Sequence, residues 1–173
     1  MRGEAPDTAA ERAHVLLDAL RVRGLTLAVA ESLTGGLVTA RLVDVPGAST
    51  VLRGGVVAYA TDLKATVLAV DRDLLDRHGP VHPEVAAQMA RGVAVVLGAD
   101  VGLATTGVAG PGPADGHDAG TVHVAVHVTA RAGDPTTDAH RGLVVVGTRD
   151  DVRAAATDAV LQLALDVVGT REA

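Results

Sequence analysis

Leu25-Thr26-Leu27-Ala28-Val29-Ala30-Glu31-Ser32-Leu33-Thr34-Gly35-Gly36 is the stretch that decides the fold class. Leu25 to Ala30 is a short apolar run that reads as a buried strand. Glu31, Ser32 and two glycines follow, and a helical pattern covers Thr34 to Val43, ended before Pro46-Gly47. A buried strand feeding a helix is the repeating unit of α/β folds.

Working outward, the same alternation continues. Upstream, Thr8 and Glu11 have capping-box spacing, Leu16, Leu17 and Leu20 form an apolar stripe, and Gly24 stops the helix predicted over Thr8 to Arg23. Downstream, a second strand is predicted over Val51 to Ala60, with Gly54-Gly55 marking a bulge or close approach. Helical stretches follow from Thr61 to about Ala69 and on to Arg77. Pro83 fits the first position of a helix ending at Leu97, before Gly98. Val101 to Thr105 is a third buried strand, and Thr106 to Gly120 is a Gly/Pro loop. Val122, Val124, Val126 and Val128 alternate with Thr, His and Ala, so Thr121 to Thr129 is a half-buried strand. A turn around Gly133-Asp134-Pro135 leads to a partner strand ending near Val146. Thr148 and Asp151 cap a last helix through Val168, with Val152, Ala156, Ala159, Leu163 and Val167 inward. The expected fold is a three-layer α/β/α single domain with a mixed, mostly parallel sheet and a C-terminal antiparallel strand pair.

Composition narrows the function. The chain has 173 residues, a net charge of −6 and no Cys, which excludes disulfides, thiolate metal sites and cysteine nucleophiles. The cations are spread along the chain rather than gathered in a basic stripe, so no nucleic-acid partner is expected. The N-terminus has no apolar signal region, and no apolar run is long enough to span a membrane. A cytoplasmic enzyme is expected. Lys64 is the one Lys among 15 Lys plus Arg, and the one Tyr, Tyr59, lies five residues before it. Where nearly every Lys and aromatic has been replaced, the survivors point to chemistry that Arg or Phe cannot do.

Three segments carry that chemistry. Ser32 sits at the carboxyl end of a strand, where ligands gather in open α/β sheets. It could attack an acyl carbon while nearby N–H groups hold the oxyanion, and the competing reading is an ordinary turn with Ser32 or Thr34 as helix cap. Lys64, with Thr61 as cap, falls in the first turn of a helix, where the dipole helps lower its pKa toward that of a general base. The competing reading is a solvated lysine offset by Asp62. Thr105-Thr106-Gly107-Val108-Ala109-Gly110-Pro111-Gly112-Pro113 could cradle a phosphate or carboxylate, or serve as a plain connection. It lacks the endings of the Walker and dinucleotide motifs. Arg149 and Arg153, one turn apart, could clamp an anion. His123 and His127 share a strand face, but neither they nor His78 and His82 have a metal-site pattern, so no metal is expected.

Taken together, these segments resemble the CinA C-terminal domain family, the nicotinamide-nucleotide amidohydrolases. The matching pieces are Ala30 to Gly36, Val45 to Ser49, Gly54 to Tyr59, Lys64, Thr106 to Pro111, Gly120 to Val122, and Arg149 with Arg153. The resemblance covers about Thr8 to Val168 and implies one amidohydrolase domain over 1–173, in the stand-alone form without the larger N-terminal domain of some members. It implies hydrolysis of the carboxamide of nicotinamide mononucleotide to nicotinic acid mononucleotide and ammonia. Ser32 would be the nucleophile, with Lys64 as base, directly or through Tyr59, and no metal or organic cofactor.

Thr34, Gly35 and Gly36 would supply oxyanion and substrate contacts, and Thr106, Gly107, Gly110 and Arg149 are candidates for the phosphate. The expected partner is a pyridine mononucleotide, with neither nucleic acid nor membrane, and the chain is expected to form a homo-oligomer. Four positions depart from the family pattern: Leu33 where Cys is frequent, Ala60-Thr61 for Ser-Asn, and His82 for Ser. Two other readings stay open, a Ser-Lys hydrolase of another small amide or ester, and a non-catalytic module linked to DNA uptake or repair.

Overall fold

A computed structural model describes residues 8–131 and 135–169. Five strands form one sheet in the order β2-β1-β3-β4-β5: β1 (Leu27–Glu31), β2 (Leu52–Val57), β3 (Val101–Gly107), β4 (Thr121–Val128) and β5 (Thr137–Val144). β1 pairs in parallel with β2 and β3, while β4 is antiparallel to both β3 and β5. Four strands therefore point one way and β4 alone runs against them. The sheet is mixed as expected, and the antiparallel part takes in β3 as well as the C-terminal pair. Of the turn read between β4 and β5, Gly133 and Asp134 lie outside the described residues.

Helices cover both faces. On one lie α1 (Ala9–Val22), α2 (Leu37–Val43) and α6 (Arg149–Gly169), packed on Leu27, Val29, Val101, Leu103 and the valines of β4. On the other lie α5 (Pro83–Leu97) and the chain through α3 (Thr61–Thr66) and α4 (Arg72–His78), over Ala28, Ala30, Ala104 and Ala125. The small side chains of that second face let α5 approach closely, which is how a core without Phe or Trp closes its gaps. Among the described residues no helix is long and apolar enough to cross a membrane.

Local signals explain most element ends. Thr8 and Glu11 form the expected capping box at α1. Pro83 opens α5, and Gly98 closes it in the left-handed conformation. Thr148 and Asp151 bond to each other's backbone at the start of α6, whose expected inward residues are all buried. Several elements start or stop elsewhere; β2 ends at Val57, short of Ala60, and α3 at Thr66, short of Ala69. α2 begins at Leu37, because Ser32 to Gly36 first makes a turn in which Gly35 and Gly36 both have positive φ. β3 runs two residues further than read, to Gly107, since Thr106 and Gly107 still pair with His123 and Val122.

Candidate active site

The site is built at the carboxyl ends of β1, β2 and β3. β1 is fully buried, and its last residue, Glu31, has no exposed surface. The Glu31 carboxylate accepts from the amides of Gly36 (2.9 Å), Val38 (3.1 Å) and Thr39 (2.8 Å), and from the Thr39 hydroxyl (2.7 Å). It thus caps α2 from the preceding strand, and neither Ser32 nor Thr34 acts as the cap. Gly55 of β2 is needed for this arrangement: a Cβ there would lie 2.2 Å from the Thr39 hydroxyl. The close approach read at Gly54-Gly55 is therefore to α2. Glu31→Ala strands several donors in a dry site, so urea melts should show a loss of about 3 kcal/mol, while Glu31→Asp, if it reaches fewer of them, should lose less.

With Glu31 fixed, the next residue is aimed. The Ser32 amide donates to Thr105 O at 3.1 Å, which prolongs the β1–β3 pairing by one step. Lys64 reaches the Ser32 hydroxyl from α3. Its side chain is buried, and Nζ lies 3.0 Å from Ser32 Oγ, 2.8 Å from Ala58 O and 3.4 Å from Tyr59 O. The ammonium form has three N–H donors for these three acceptors. In the neutral form the two carbonyls can hold the two remaining N–H groups, which leaves the lone pair facing Ser32 Oγ.

Burial holds the Lys64 pKa down to about 8, against the opposing pull of Asp115 and then Asp62. The cause differs from the one inferred from sequence. The cap position is Ala60, Thr61 is the first helical residue, and Lys64 falls in the last turn of a six-residue helix. Desolvation of the charge, rather than the helix dipole, lowers its proton affinity. The reading of Lys64 as a solvated surface cation is likewise overturned by its burial.

Tyr59 stands apart from the pair it was grouped with. Its ring is 59% exposed at the pocket rim, and its hydroxyl accepts from Arg149 Nη2 at 3.0 Å. Only its backbone carbonyl touches Lys64, so no phenol bridges Ser32 and Lys64. Arg149 also donates from Nη1 to Gly110 O at 2.8 Å, spanning the mouth between two loops. Arg153 does not join it in a clamp; it donates to Thr34 O at 2.9 Å and faces Asp150 at 3.6 Å.

The pocket between these elements has a volume of about 200 Å³, lined by Ser32, Leu33, Tyr59, Lys64, Arg149 and the 106–115 loop. Thr106, Gly107 and Gly110 are thus at the site. Thr106 is buried, with its hydroxyl donated to Pro80 O at 2.7 Å. Thr34, Gly35 and Gly36 are not in the lining. Thr34 is buried against Thr105 (2.7 Å between hydroxyls), the Gly35 amide donates to Ser32 O, and the Gly36 amide is held by Glu31. These two glycine amides are committed to building the turn, which overturns their reading as oxyanion donors. The amides of Leu33 and Thr34 meet no acceptor among the described residues.

Two departures from the family pattern gain an account. His82 caps α5, its Nδ1 accepting from the Glu84 amide at 3.2 Å, and burial lowers its pKa, so the neutral acceptor form is favoured. Leu33 is buried against the Gly107 strand end, a packing role. His123 and His127 do share a face, but His123 meets His140 (3.1 Å) and His127 meets Asp138 (2.7 Å). Among the described residues no group of three or more His, Asp or Glu is placed to hold a metal. Sequence reasoning missed the cap formed by Glu31 and the position of Asp115 over the pocket. The first had a signal in an acid ending an apolar strand, the second in the Asp-Gly pair of a tight turn.

Comparison with known proteins shows the family and the fold. The CinA C-terminal domain family matches residues 9–168. A CinA-like protein of Frankia casuarinae is 48% identical over 149 residues, 86% of this chain and 33% of the relative. A competence-damage inducible protein of Geobacillus kaustophilus is 46% identical over 137 residues, 79% of this chain and 32% of the relative. The chain thus spans about a third of the length of the curated relatives it matches. Among solved structures, a competence-damaged protein (CinA) superfamily protein from Escherichia coli superposes with a TM-score of 0.86 at 30% identity, covering 96% of this chain and 94% of that one. The competence/damage inducible protein CihA from Agrobacterium tumefaciens gives 0.86 at 29% identity, covering 95% and 98%.

Proposed function

The chain belongs to the CinA C-terminal domain family, and from that premise we propose that it is an amidohydrolase that converts nicotinamide mononucleotide to nicotinic acid mononucleotide and ammonia. The observation that carries the proposal is the 3.0 Å contact between a buried Lys64 amine and the Ser32 hydroxyl at the floor of a pocket. A hydroxyl nucleophile needs a base within hydrogen-bond reach whose pKa is near the working pH, and this lysine has both properties.

Neutral Lys64 takes the Ser32 proton as Oγ bonds to the carboxamide carbon. The carbonyl oxygen becomes an oxyanion, for which the free Leu33 amide beside the nucleophile is the nearest donor in sequence, with Thr34 next. Lys64 then passes its proton to the leaving nitrogen, the C–N bond breaks and ammonia departs. Water, giving a proton to Lys64, attacks the acyl-Ser32 ester; the C–Oγ bond breaks, Lys64 returns that proton to Ser32 Oγ, and the acid leaves. The pyridinium ring withdraws electrons from the carboxamide, which makes this amide easier to attack. Arg149, already at the mouth, supports the phosphate, in place of the Arg149–Arg153 clamp read from sequence. Tyr59 shapes the rim rather than relaying the proton.

Purified protein incubated with nicotinamide mononucleotide should release ammonia and nicotinic acid mononucleotide in equal amounts. Activity is expected to survive exhaustive chelation, because the Ser-Lys steps need no Lewis acid. A preparation that forms neither product, or regains activity only with a divalent ion, would refute the reading. Hydrolysis of other small amides or esters without this one would leave a Ser-Lys hydrolase with a different substrate.

A further inference from the structure

The pocket has an unusual charge inventory. Among the described residues, Asp115 is the one carboxylate in its lining. The two lining cations are already engaged, Lys64 by Ser32, Ala58 and Tyr59, and Arg149 by Gly110 and Tyr59. The Asp115 side chain has no hydrogen bond or ion pair among the described residues, and its charge, felt by Lys64 through space, remains open to a ligand.

Its position is nevertheless fixed, by the backbone. Ala114 and His117 exchange two hydrogen bonds, 3.0 and 2.9 Å, around Asp115 and Gly116. Both central residues have positive φ, 51° and 77°, as a two-residue type I′ turn requires. Asp is among the few side-chain-bearing residues that accept this conformation. The turn backs onto the Gly79-Pro80 wall, with Asp115 Cβ 3.9 Å from where a Gly79 Cβ would stand. A strained-looking backbone conformation thus serves to hold a carboxylate at the opening through which a ligand approaches Ser32.

From this placement we infer that Asp115 is a specificity residue that makes the pocket prefer a positively charged ring carboxamide over a neutral one. The inference rests on the proposed reaction for its substrate class. The two charges of a pyridinium mononucleotide find opposite partners, the ring at Asp115 and the phosphate at Arg149. A neutral nicotinamide ring gains nothing from Asp115. The same carboxylate is the first of the two acids opposing the fall of the Lys64 pKa. That supplies a second signature: removing it lowers the Lys64 pKa further, so more of the base is free at neutral pH.

The test pairs two amides that differ in ring charge, 1-methylnicotinamide and nicotinamide. Their affinities are measured calorimetrically on Ser32→Ala protein, so that no turnover intervenes, with and without Asp115→Asn. The expected preference for the cationic amide is about tenfold, the size of one partly screened charge pair. It should fall toward one in Asp115→Asn, shrink as salt rises, and persist at least in part in Asp115→Glu.

In Ser32-intact protein, Asp115→Asn should raise KM for nicotinamide mononucleotide while modestly raising kcat for a neutral ester such as p-nitrophenyl acetate at pH 7. An unchanged ring preference in Asp115→Asn, or no detectable binding of 1-methylnicotinamide, overturns the inference. The two readings fail separately. Charge-selective binding without ammonia release from the mononucleotide would sink the proposed function alone. Mononucleotide turnover with a ring preference indifferent to Asp115 would sink this inference alone.

Discussion

Lys64→Arg is expected to lose turnover by about a hundredfold to ten-thousandfold, nearly as much as Lys64→Ala. A general base must spend time neutral, and a guanidinium effectively cannot. The geometry adds a second reason. The Lys64 amine fits among Ser32 Oγ, Ala58 O and Tyr59 O at 2.8–3.4 Å, which suits a compact group with three donors, and a planar fork is a poor match. The measurement is kcat against pH for wild type, Lys64→Arg and Lys64→Ala, with each variant's melting checked. Wild-type rate should rise with pH through about 8, where Lys64 gives up its proton, and then level off. Neither variant should show that limb.

The same shift has a sign for stability. The folded pKa lies below the ordinary value of 10.5, so the unfolded chain binds the proton more tightly between about 8 and 10.5. Wild type should therefore gain stability relative to Lys64→Met as pH rises across that window. Robust turnover by Lys64→Arg would reduce Lys64 to a source of positive charge.

Ser32→Ala is expected to abolish turnover, by about a thousandfold or more, because the hydroxyl is the atom that forms the acyl bond. The fold should hardly notice. Ser32 does not cap α2, since Glu31 takes the α2 amides, and the Ser32 amide keeps its bond to Thr105. The loss is one hydrogen bond from Lys64, about 1 kcal/mol. Thermal melting and activity should therefore separate cleanly. Mass spectrometry after mixing with an activated ester should find an acyl adduct on wild type and none on the variant. A folded Ser32→Ala protein with near-normal turnover would move the nucleophile to another group, or to water.

Much of this was legible in the chain. The run from Leu25 to Gly36 placed a strand, a turn and a helix in order, and Pro83 to Gly98 gave α5 with its ends. Rarity singled out Lys64, and strand-end position singled out Ser32, although 32 residues separate them. What joins them is the parallel pairing of β1 with β2, which brings both loops to one sheet edge. The role of Tyr59 was not legible, because being close to Lys64 in sequence put its carbonyl, and not its phenol, beside the amine. The function of Gly35 and Gly36 was misjudged for a similar reason. Local pattern shows that a turn has free amides, but not that a carboxylate from the preceding strand already occupies one of them. For Asp115 the Asp-Gly pair signals a tight turn, but not that the turn lies against the pocket, since that depends on how a Gly/Pro loop folds back.

The placement of Tyr59 has a practical consequence. The protein has one Tyr and no Trp, so all of its near-ultraviolet absorption and intrinsic fluorescence come from a single ring. That ring stands at the mouth of the pocket with its hydroxyl on Arg149. Emission therefore reports on one place in the molecule, without the background that buried indoles give in most proteins. A ligand that draws Arg149 away from the phenol should change the signal directly, so that binding can be titrated on the native protein with no dye and no mutation.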